Sequence, residues 1–196
     1  MLFTTIDFFI FFIFVVGTII VIKNRKFQHG FLLIASYFFF YYSSNYLVTL
    51  LIFSTLLDFY AGREIWRTQN ITRKKIIFSI SLAGNLGLLG FFKYVDFGIS
   101  QINAIGNSLG IDPIPLLNLA LPIGISFYTF QTISYTADIY RGKLEPSKTL
   151  REFALFVAFF PQLVAGPIVR AKDFLPQLRE KMENFGTNRL SLISIH

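Results

Sequence analysis

A run of polar side chains between residues 126 and 138 is the part of this chain best suited to chemistry. Tyr128, Thr132 and Tyr135 are spaced by four and then three residues, so they share one face of a helix. A buried polar group costs free energy unless it has a partner, and lipid offers none. We therefore expect this helix to face protein or a polar cavity. The polar residues of the run are Ser126, Tyr128, Thr129, Gln131, Thr132, Ser134, Tyr135, Thr136 and Asp138.

This polar face has two interpretations, hydrogen bonding between helices or the wall of a substrate tunnel. Asp138, at the end of this face, also has two interpretations, one functional and one structural. An ionisable residue inside a membrane indicates a functional site, but Arg141 follows three residues later and would form a structural ion pair with it. For Asp58, an interfacial cap or an ion pair with Arg63 is favoured over catalysis.

The composition predicts a polytopic, all-α membrane protein. The chain is 54% hydrophobic with a mean hydropathy of +0.57, and only 15% of its residues are charged, compared with about 25% in soluble domains. The net charge of +7 comes from basic residues between apolar runs. Positive-inside topology explains that pattern without a nucleic-acid partner. With no cysteine and two distant histidines, the sequence predicts no disulfide, no thiol catalysis and no metal site.

The first sixty residues contain two apolar stretches that are separated by a basic loop. Residues Ile6–Ile22 are long enough for a first, retained membrane span. Residues Phe31–Tyr60 are too long for one straight span, and basic residues flank them on both sides. They predict a hairpin of two short helices turning near Ser43–Asn45, with a single tilted helix as the alternative.

The next span is predicted at Ile76–Phe92, where three glycines favour the close approach of another helix. Residues Val95–Pro115 are amphipathic and lack basic side chains. They predict a segment along the outer membrane surface, with a turn at Gly110–Pro115. The glycines of the span are Gly84, Gly87 and Gly90.

Residues Leu116–Tyr140 then cross back, with a kink or helix start at Pro122. The apolar stretch Phe153–Val169 predicts a broken or re-entrant helix, because its breakers free backbone groups that only protein or water can satisfy. No further span is expected after Arg170. Residues 1–196 thus predict one helix bundle with about five to seven embedded helices. The polar and helix-breaking residues of the broken stretch are Pro161, Gln162, Gly166 and Pro167.

Four strings carry a resemblance to a known family. LPIGISFYTFQTISYTADIYRG (121–142) and FALFVAFFPQLVAGPIVRAKDFLPQL (153–178) closely resemble the membrane-bound O-acyltransferases, especially the alginate O-acetyltransferase type and its polysaccharide-acetylating relatives. LLIFSTLLDFYAGR (50–63) and NLGLLGFFKYVDF (85–97) match the same subgroup. The most specific string is PQLVAGPI, residues 161–168. The resemblance assigns a structural motif to Pro122, Arg141, Pro161, Gly166 and Pro167.

The resemblance implies a bundle of membrane helices around a tunnel, in the inner membrane of a bacterium. An activated acyl group would enter from one side and a hydroxyl acceptor from the other. The donor would be acetyl-CoA or an acyl carrier, with no cofactor bound. The partners would be the lipid bilayer and either an exported polysaccharide such as alginate or a periplasmic acetyl-transfer protein. The tunnel candidates are Tyr128, Gln131, Thr132, Tyr135, Asp138 and Gln162.

The chain departs from the family at the catalytic histidine, which acts there as general base and follows a tryptophan in a later apolar helix. Here Trp66 is expected in a basic loop, His29 in an N-terminal basic loop and His196 in a polar tail, and neither histidine matches that pattern. The resemblance therefore implies an amino-terminal half that is inactive alone. It would be completed by a longer native product or by a second chain, or it would be a non-catalytic scaffold. A small transporter or channel would use similar helices, but the motif strings argue against it.

Overall fold

The structure, a computed structural model, describes residues 6–22, 24–119, 124–165 and 169–184. These residues form α-helices and no strand, which confirms the all-α prediction. The helices are α1 (Ile6–Val21), α2 (Arg25–Ser44), α3 (Val48–Arg67), α4 (Ile71–Ser108), α5 (Ile125–Tyr140), α6 (Leu150–Ala158), α7 (Phe160–Ala165) and α8 (Ala171–Asn184).

Two helical stretches, Phe27–Arg67 and Ile71–Ser108, are long and apolar enough to cross a membrane, and α1 is a shorter apolar helix. Large apolar side chains of α1 are exposed, among them Ile10, Ile13 and Phe14. A lipid environment accounts for such a surface, because water would penalise it. The total of five to seven embedded helices remains a prediction.

The helix interruption predicted near Ser43–Asn45 is present. Asn45 has a φ of +53°, and a short 3-10 turn, Asn45–Leu47, separates α2 from α3. The two helices do not lie along each other as the arms of a closed hairpin would, because α2 packs mainly on α6 and α3 mainly on α4 and α5. The side of the membrane that each end reaches remains a prediction.

Helix α4 is longer than the sequence suggested. Its first turn is capped by the Asn70 side chain, which accepts from the backbone N–H of Arg73 at 3.1 Å. It then runs for 38 residues, about 57 Å at 1.5 Å per residue. The predicted end of the span after Phe92 and the separate segment from Val95 are therefore wrong. Nothing near Lys93 removes a backbone donor, so the helix continues.

The chain after α4 turns at Gly110, which has a φ of +71°, as predicted. It then runs back along α4 in extended form. The Asn103 side chain accepts from the backbone N–H of Ile114 and donates to its carbonyl, both at 2.8 Å. Asp96 accepts from the backbone N–H of Leu117 at 2.8 Å. These side chains supply the hydrogen bonds that an extended segment otherwise lacks.

Helix α6 lies at the centre of the described bundle. Its N-terminus is capped by Thr149, which accepts from the N–H of Glu152 at 3.2 Å, and every residue from Phe153 to Ala158 is buried. The Phe153 ring packs 4.3 Å from the ring of Tyr135 on α5. Helices α3, α4 and α6 therefore pack around the polar side chains of α5.

Candidate functional site

The polar run of α5 is buried, as expected. Most of its members, from Tyr128 to Asp138, are less than 9% exposed. The helix is packed against α3, α4, α6 and α8. The prediction that this helix faces protein or a polar cavity is therefore confirmed. The polar side chains of the site form three groups, and Tyr135 and Asp138 lie apart from them.

The first group belongs to a network that we call the polar cluster. Helices α3, α4 and α5 each contribute two polar residues spaced by four, so that each pair lies on one helix face. All of these side chains are at most 1% exposed. The members of the polar cluster are Ser54 and Asp58 on α3, Ser81 and Asn85 on α4, and Thr132 and Thr136 on α5.

Asp58 accepts two hydrogen bonds within this cluster. The Ser81 hydroxyl donates to its Oδ1 at 2.5 Å, and the Asn85 amide donates to its Oδ2 at 2.8 Å. The expected interfacial cap or ion pair with Arg63 is wrong, because Asp58 is fully buried and the Arg63 guanidinium instead lies 5.2 Å from the Phe59 ring centroid. The four-residue spacing of Ser54 and Asp58 in an apolar helix was the sequence signal for this site.

Asn85 connects Asp58 to the other two helices. Its Nδ2 also donates to the Ser81 carbonyl at 3.0 Å, and its Oδ1 accepts from the Ser54 hydroxyl. The Thr132 hydroxyl lies 3.4 Å from the same Oδ1. Thr136 Oγ1 similarly lies 3.4 Å from Ser81 Oγ. The amide therefore uses both its donor side and its acceptor side, and the cluster joins three helices.

The second group consists of side chains that hydrogen-bond the backbone at the break predicted in the Phe153–Val169 stretch. This break is confirmed between α6 and α7. Phe159 has a ψ of 103°, and Pro161 follows without an N–H. Gln131 Nε2 donates to the Phe156 carbonyl at 2.8 Å, and the Phe160 N–H donates to Ser36 Oγ at 3.4 Å. Side chains of α5 and α2 thus replace the helical bond lost between Phe156 and Phe160.

Two further predicted residues lie at the far end of α5. The Tyr135 hydroxyl accepts from the backbone N–H of Ser147 at 3.0 Å. Asp138 is 8% exposed, and its carbonyl accepts from the N–H of Lys143 at 2.8 Å. Asp138 and Arg141, both in the described part of the chain, do not form the ion pair that was one of the two interpretations of Asp138. The structural interpretation of Asp138 as the partner of Arg141 is therefore wrong.

The third group consists of polar atoms without partners. The Tyr128 hydroxyl and both amide atoms of Gln162 are buried, and no described residue hydrogen-bonds them. Buried polar atoms in native proteins nearly always have a partner, so these atoms have hydrogen-bonding capacity that no described residue uses. Pro161 is half-buried in α7. Pro122, Gly166, Pro167 and His196 lie outside the described residues.

A groove of about 580 Å³ lies between α3 and α4. Its walls are mainly apolar, including Phe53, Leu56 and Ile80, while Glu64 and Arg73 line it where the two helices are joined. None of the predicted tunnel residues lines this groove. Its walls suit an aliphatic chain better than a polar sugar. The tunnel implied by the resemblance remains a prediction.

Comparison with known proteins gives relatives of one chemical class. The chain is 41% identical over 138 residues to a probable alginate O-acetylase of Pseudomonas aeruginosa, covering 67% of this chain and 26% of that protein. It is 40% identical over 131 residues to its counterpart in Azotobacter vinelandii (65% and 26%). A peptidoglycan O-acetyltransferase of Helicobacter pylori is 33% identical over 160 residues (69% and 30%).

The match covers only about a quarter of the length of the alginate O-acetylases. No family model and no solved structure matches the chain. The similar segment is nonetheless long and its identity is high. The resemblance to the alginate O-acetylase group of membrane-bound O-acyltransferases is therefore confirmed over about two thirds of this chain.

Proposed function

We propose that this chain is part of a membrane O-acyltransferase that acetylates an exported or cell-surface polysaccharide. The observation that carries the proposal is the 41% identity over 138 residues to a probable alginate O-acetylase. The relative from Helicobacter pylori is named for another polymer, peptidoglycan. A carbohydrate hydroxyl as the acceptor is common to both names, and the proposal adopts it. The acetyl donor is acetyl-CoA or an acyl carrier.

Acetyl transfer to a hydroxyl makes two demands on a site. A base must remove the hydroxyl proton, and donors must stabilise the negative charge on the carbonyl oxygen. The Tyr128 hydroxyl and the Gln162 amide can donate, and the described residues leave them free to do so. We assign them to the reaction path, orienting either the acceptor hydroxyl or the acetyl carbonyl.

The base is assigned to no described residue of this chain. The resemblance gives that role to a histidine after a tryptophan in a later helix. His29 and Trp66, which the sequence suggested were in loops, lie in α2 and in the last turn of α3. His29 is in the first turns of its helix and Trp66 is 44% exposed. Neither position reproduces the family pattern, so the proposal routes no proton transfer through them.

We further propose a multi-pass position in the inner membrane of a bacterium, with a periplasmic acetyl-transfer protein as one possible acceptor of the acetyl group. The apolar helices and the relatives support a membrane protein. The distribution of charge supports the orientation. Basic residues cluster at the end of α3 and the start of α4 and again after α5, whereas residues 95–119 carry none. The cytoplasmic side is therefore assigned to the two basic clusters.

The test compares Tyr128→Phe and Gln162→Leu in the longest native product that contains this chain. Because these polar atoms have no partner among the described residues, their removal should leave the unfolding temperature unchanged. Transfer of labelled acetyl to polysaccharide in isolated membranes should fall by about tenfold or more, as expected for loss of a donor to the reacting groups. Ser147→Ala, which removes another buried hydroxyl that no described residue hydrogen-bonds, is the matched control. Full transfer by both variants would contradict the assignment.

The alternative is a non-catalytic scaffold or a subunit completed by a second chain. The observation in its favour is that neither histidine of the chain matches the family's catalytic position. An antibody against residues 63–75 would measure the size of the product in its native membrane. A band well above 22.5 kDa supports an enzyme with its base elsewhere in the same chain. A band at that size, in membranes without transfer activity, supports the scaffold.

A further inference from the structure

The polar cluster is not used by the proposed reaction path. None of its six side chains has an unpartnered buried polar atom, and Asp58 does not line the groove between α3 and α4. Its hydrogen bonds nevertheless join three helices that also share apolar contacts. A buried acidic residue is expensive in this environment. We therefore look for the role of Asp58 in how it orients the side chains that hydrogen-bond to it, Ser81 and Asn85.

We propose that Asp58 and Asn85 form a directional hydrogen-bonded pair that fixes the rotation of α5 against α3 and α4, which makes Asp58 a positioning residue for the helix that carries Tyr128. The pair is directional because the carboxyl oxygens only accept here, whereas the amide of Asn85 must offer its nitrogen to Asp58. Its oxygen is then turned toward Ser54 and Thr132.

The orientation of the Asn85 amide links the two ends of the cluster. If the amide turned over, its oxygen would face Asp58 Oδ2 and its nitrogen would face Ser54 and Thr132. The first contact would place two acceptors together in a site that water cannot reach. Asp58 thereby holds the acceptor side of Asn85 toward α5. Thr132 is one helical turn from Tyr128, so a rotation of α5 at Thr132 would move the phenol as well.

The pair permits an exchange of its two members. In the double variant Asp58→Asn with Asn85→Asp, the amide on α3 can donate to the carboxyl on α4. Its oxygen still accepts from Ser81, and the carboxyl on α4 still accepts from Ser54. Every hydrogen bond between side chains then has a donor and an acceptor. Asn85→Asp alone places two carboxyl groups face to face, which is unfavourable.

The first readout is thermal unfolding of the full chain in detergent. We expect Asn85→Asp and Asp58→Leu each to lower the midpoint by several degrees, and the exchange variant to regain most of the loss seen with Asn85→Asp. Asp96→Asn is the matched control, because it keeps the Oδ1 that accepts from Leu117, and it should not shift the midpoint. An unchanged midpoint for Asn85→Asp, or an exchange variant no better than Asn85→Asp, would overturn the proposal.

The second readout rests on the proposed function and uses acetyl transfer by the full-length protein. A positioning role predicts that the exchange variant transfers acetyl within about twofold of the wild type, while Asn85→Asp loses at least about tenfold. An exchange variant that regains the midpoint but not the transfer would overturn the proposal, since the carboxyl would then be needed at residue 58 itself. If the wild type transfers no acetyl, the proposed function fails and the unfolding midpoints alone decide the inference.

Discussion

The phenol oxygen of Tyr135 accepts a hydrogen bond from the backbone N–H of Ser147 at 3.0 Å. The Tyr135 side chain is fully buried, and its ring packs against Phe153 at the start of α6. One side chain therefore fixes both the loop after α5 and the first turn of the central helix. This relationship gives Tyr135 a structural role that is independent of any substrate.

Replacing Tyr135 by Phe should destabilise the protein by about 1–3 kcal/mol, because the buried N–H of Ser147 would lose its acceptor while the ring contact remains. Ser147→Ala is the matched control. Its side-chain oxygen is buried without a partner among the described residues, so removing it should be neutral or slightly stabilising. Denaturant unfolding in mixed micelles measures both effects. Equal stability of the two variants would contradict the assigned hydrogen bond.

Gly62 permits the close contact of α3 with α5. A Cβ at this position would lie 2.9 Å from Tyr135 Cε1 and 2.9 Å from Ile139 Cδ1. Gly62→Ala should therefore cost about 1–3 kcal/mol of stability by overpacking. Gly87→Ala is the control, since nothing lies within 4 Å of the added atom, and it should be neutral or stabilising in a helix. A Gly62→Ala protein as stable as Gly87→Ala would refute the close contact.

Gln131 is expected to hold the break between α6 and α7. Gln131→Leu keeps the size of the side chain but leaves the Phe156 carbonyl without its donor at 2.8 Å. We predict a loss of about 1–3 kcal/mol and faster hydrogen exchange of the amides between Phe159 and Val164. Ser134→Ala on the same helix removes a hydroxyl that donates to the Gln131 carbonyl of its own helix, and it should leave that exchange unchanged. Equally slow hydrogen exchange of these amides in both variants would show that Gln131 does not stabilise the break.

The orientation of α3 in the membrane can be tested with single cysteines, because the chain has none of its own. The predicted topology keeps Asn45 away from the side of the basic residues near Arg67. An impermeant thiol reagent should therefore label Asn45→Cys and Arg67→Cys from opposite sides of sealed vesicles. Labelling of both from one side would exclude the predicted topology. Detergent-opened vesicles, in which both positions should react, provide the control for accessibility.

The polar contacts of α5 explain which parts of the site the sequence could predict. The run from Tyr128 to Asp138 had to be buried because lipid cannot hydrogen-bond it, and this follows from residue types alone. The break before Pro161 was predictable for a similar reason, since proline removes a helical hydrogen bond wherever it occurs. Which side chains would satisfy those groups depends on helices far away in sequence, such as the one that carries Ser36.

The glycines also show which contacts the sequence could predict and which depend on distant helices. Gly84, Gly87 and Gly90 favour a close helix contact by their spacing, but only Gly84 meets another helix, through Leu57. A Cβ at Gly84 would lie 2.8 Å from Leu57 Cδ2, so the spacing found one tight approach, whereas a second one occurs at Gly62, which no spacing distinguished. The length of α4 was also missed. Its polar residues, including Asp96 and Asn103, indicated a surface segment, yet they bind the extended chain that runs back along the same helix.

The sequence by itself determined that this chain is helical, apolar enough for a membrane and interrupted at Asn45 and before Pro161, because hydropathy and backbone restriction are local properties. It also carried the resemblance to O-acyltransferases in contiguous strings. Only the tertiary structure decided the partner of Asp58. The sequence suggested Arg63, which is nearby in the chain, whereas the structure shows Asn85 on another helix. Three packed helices excluded water from the carboxyl group and brought Asn85 within hydrogen-bonding distance, which no local pattern encodes.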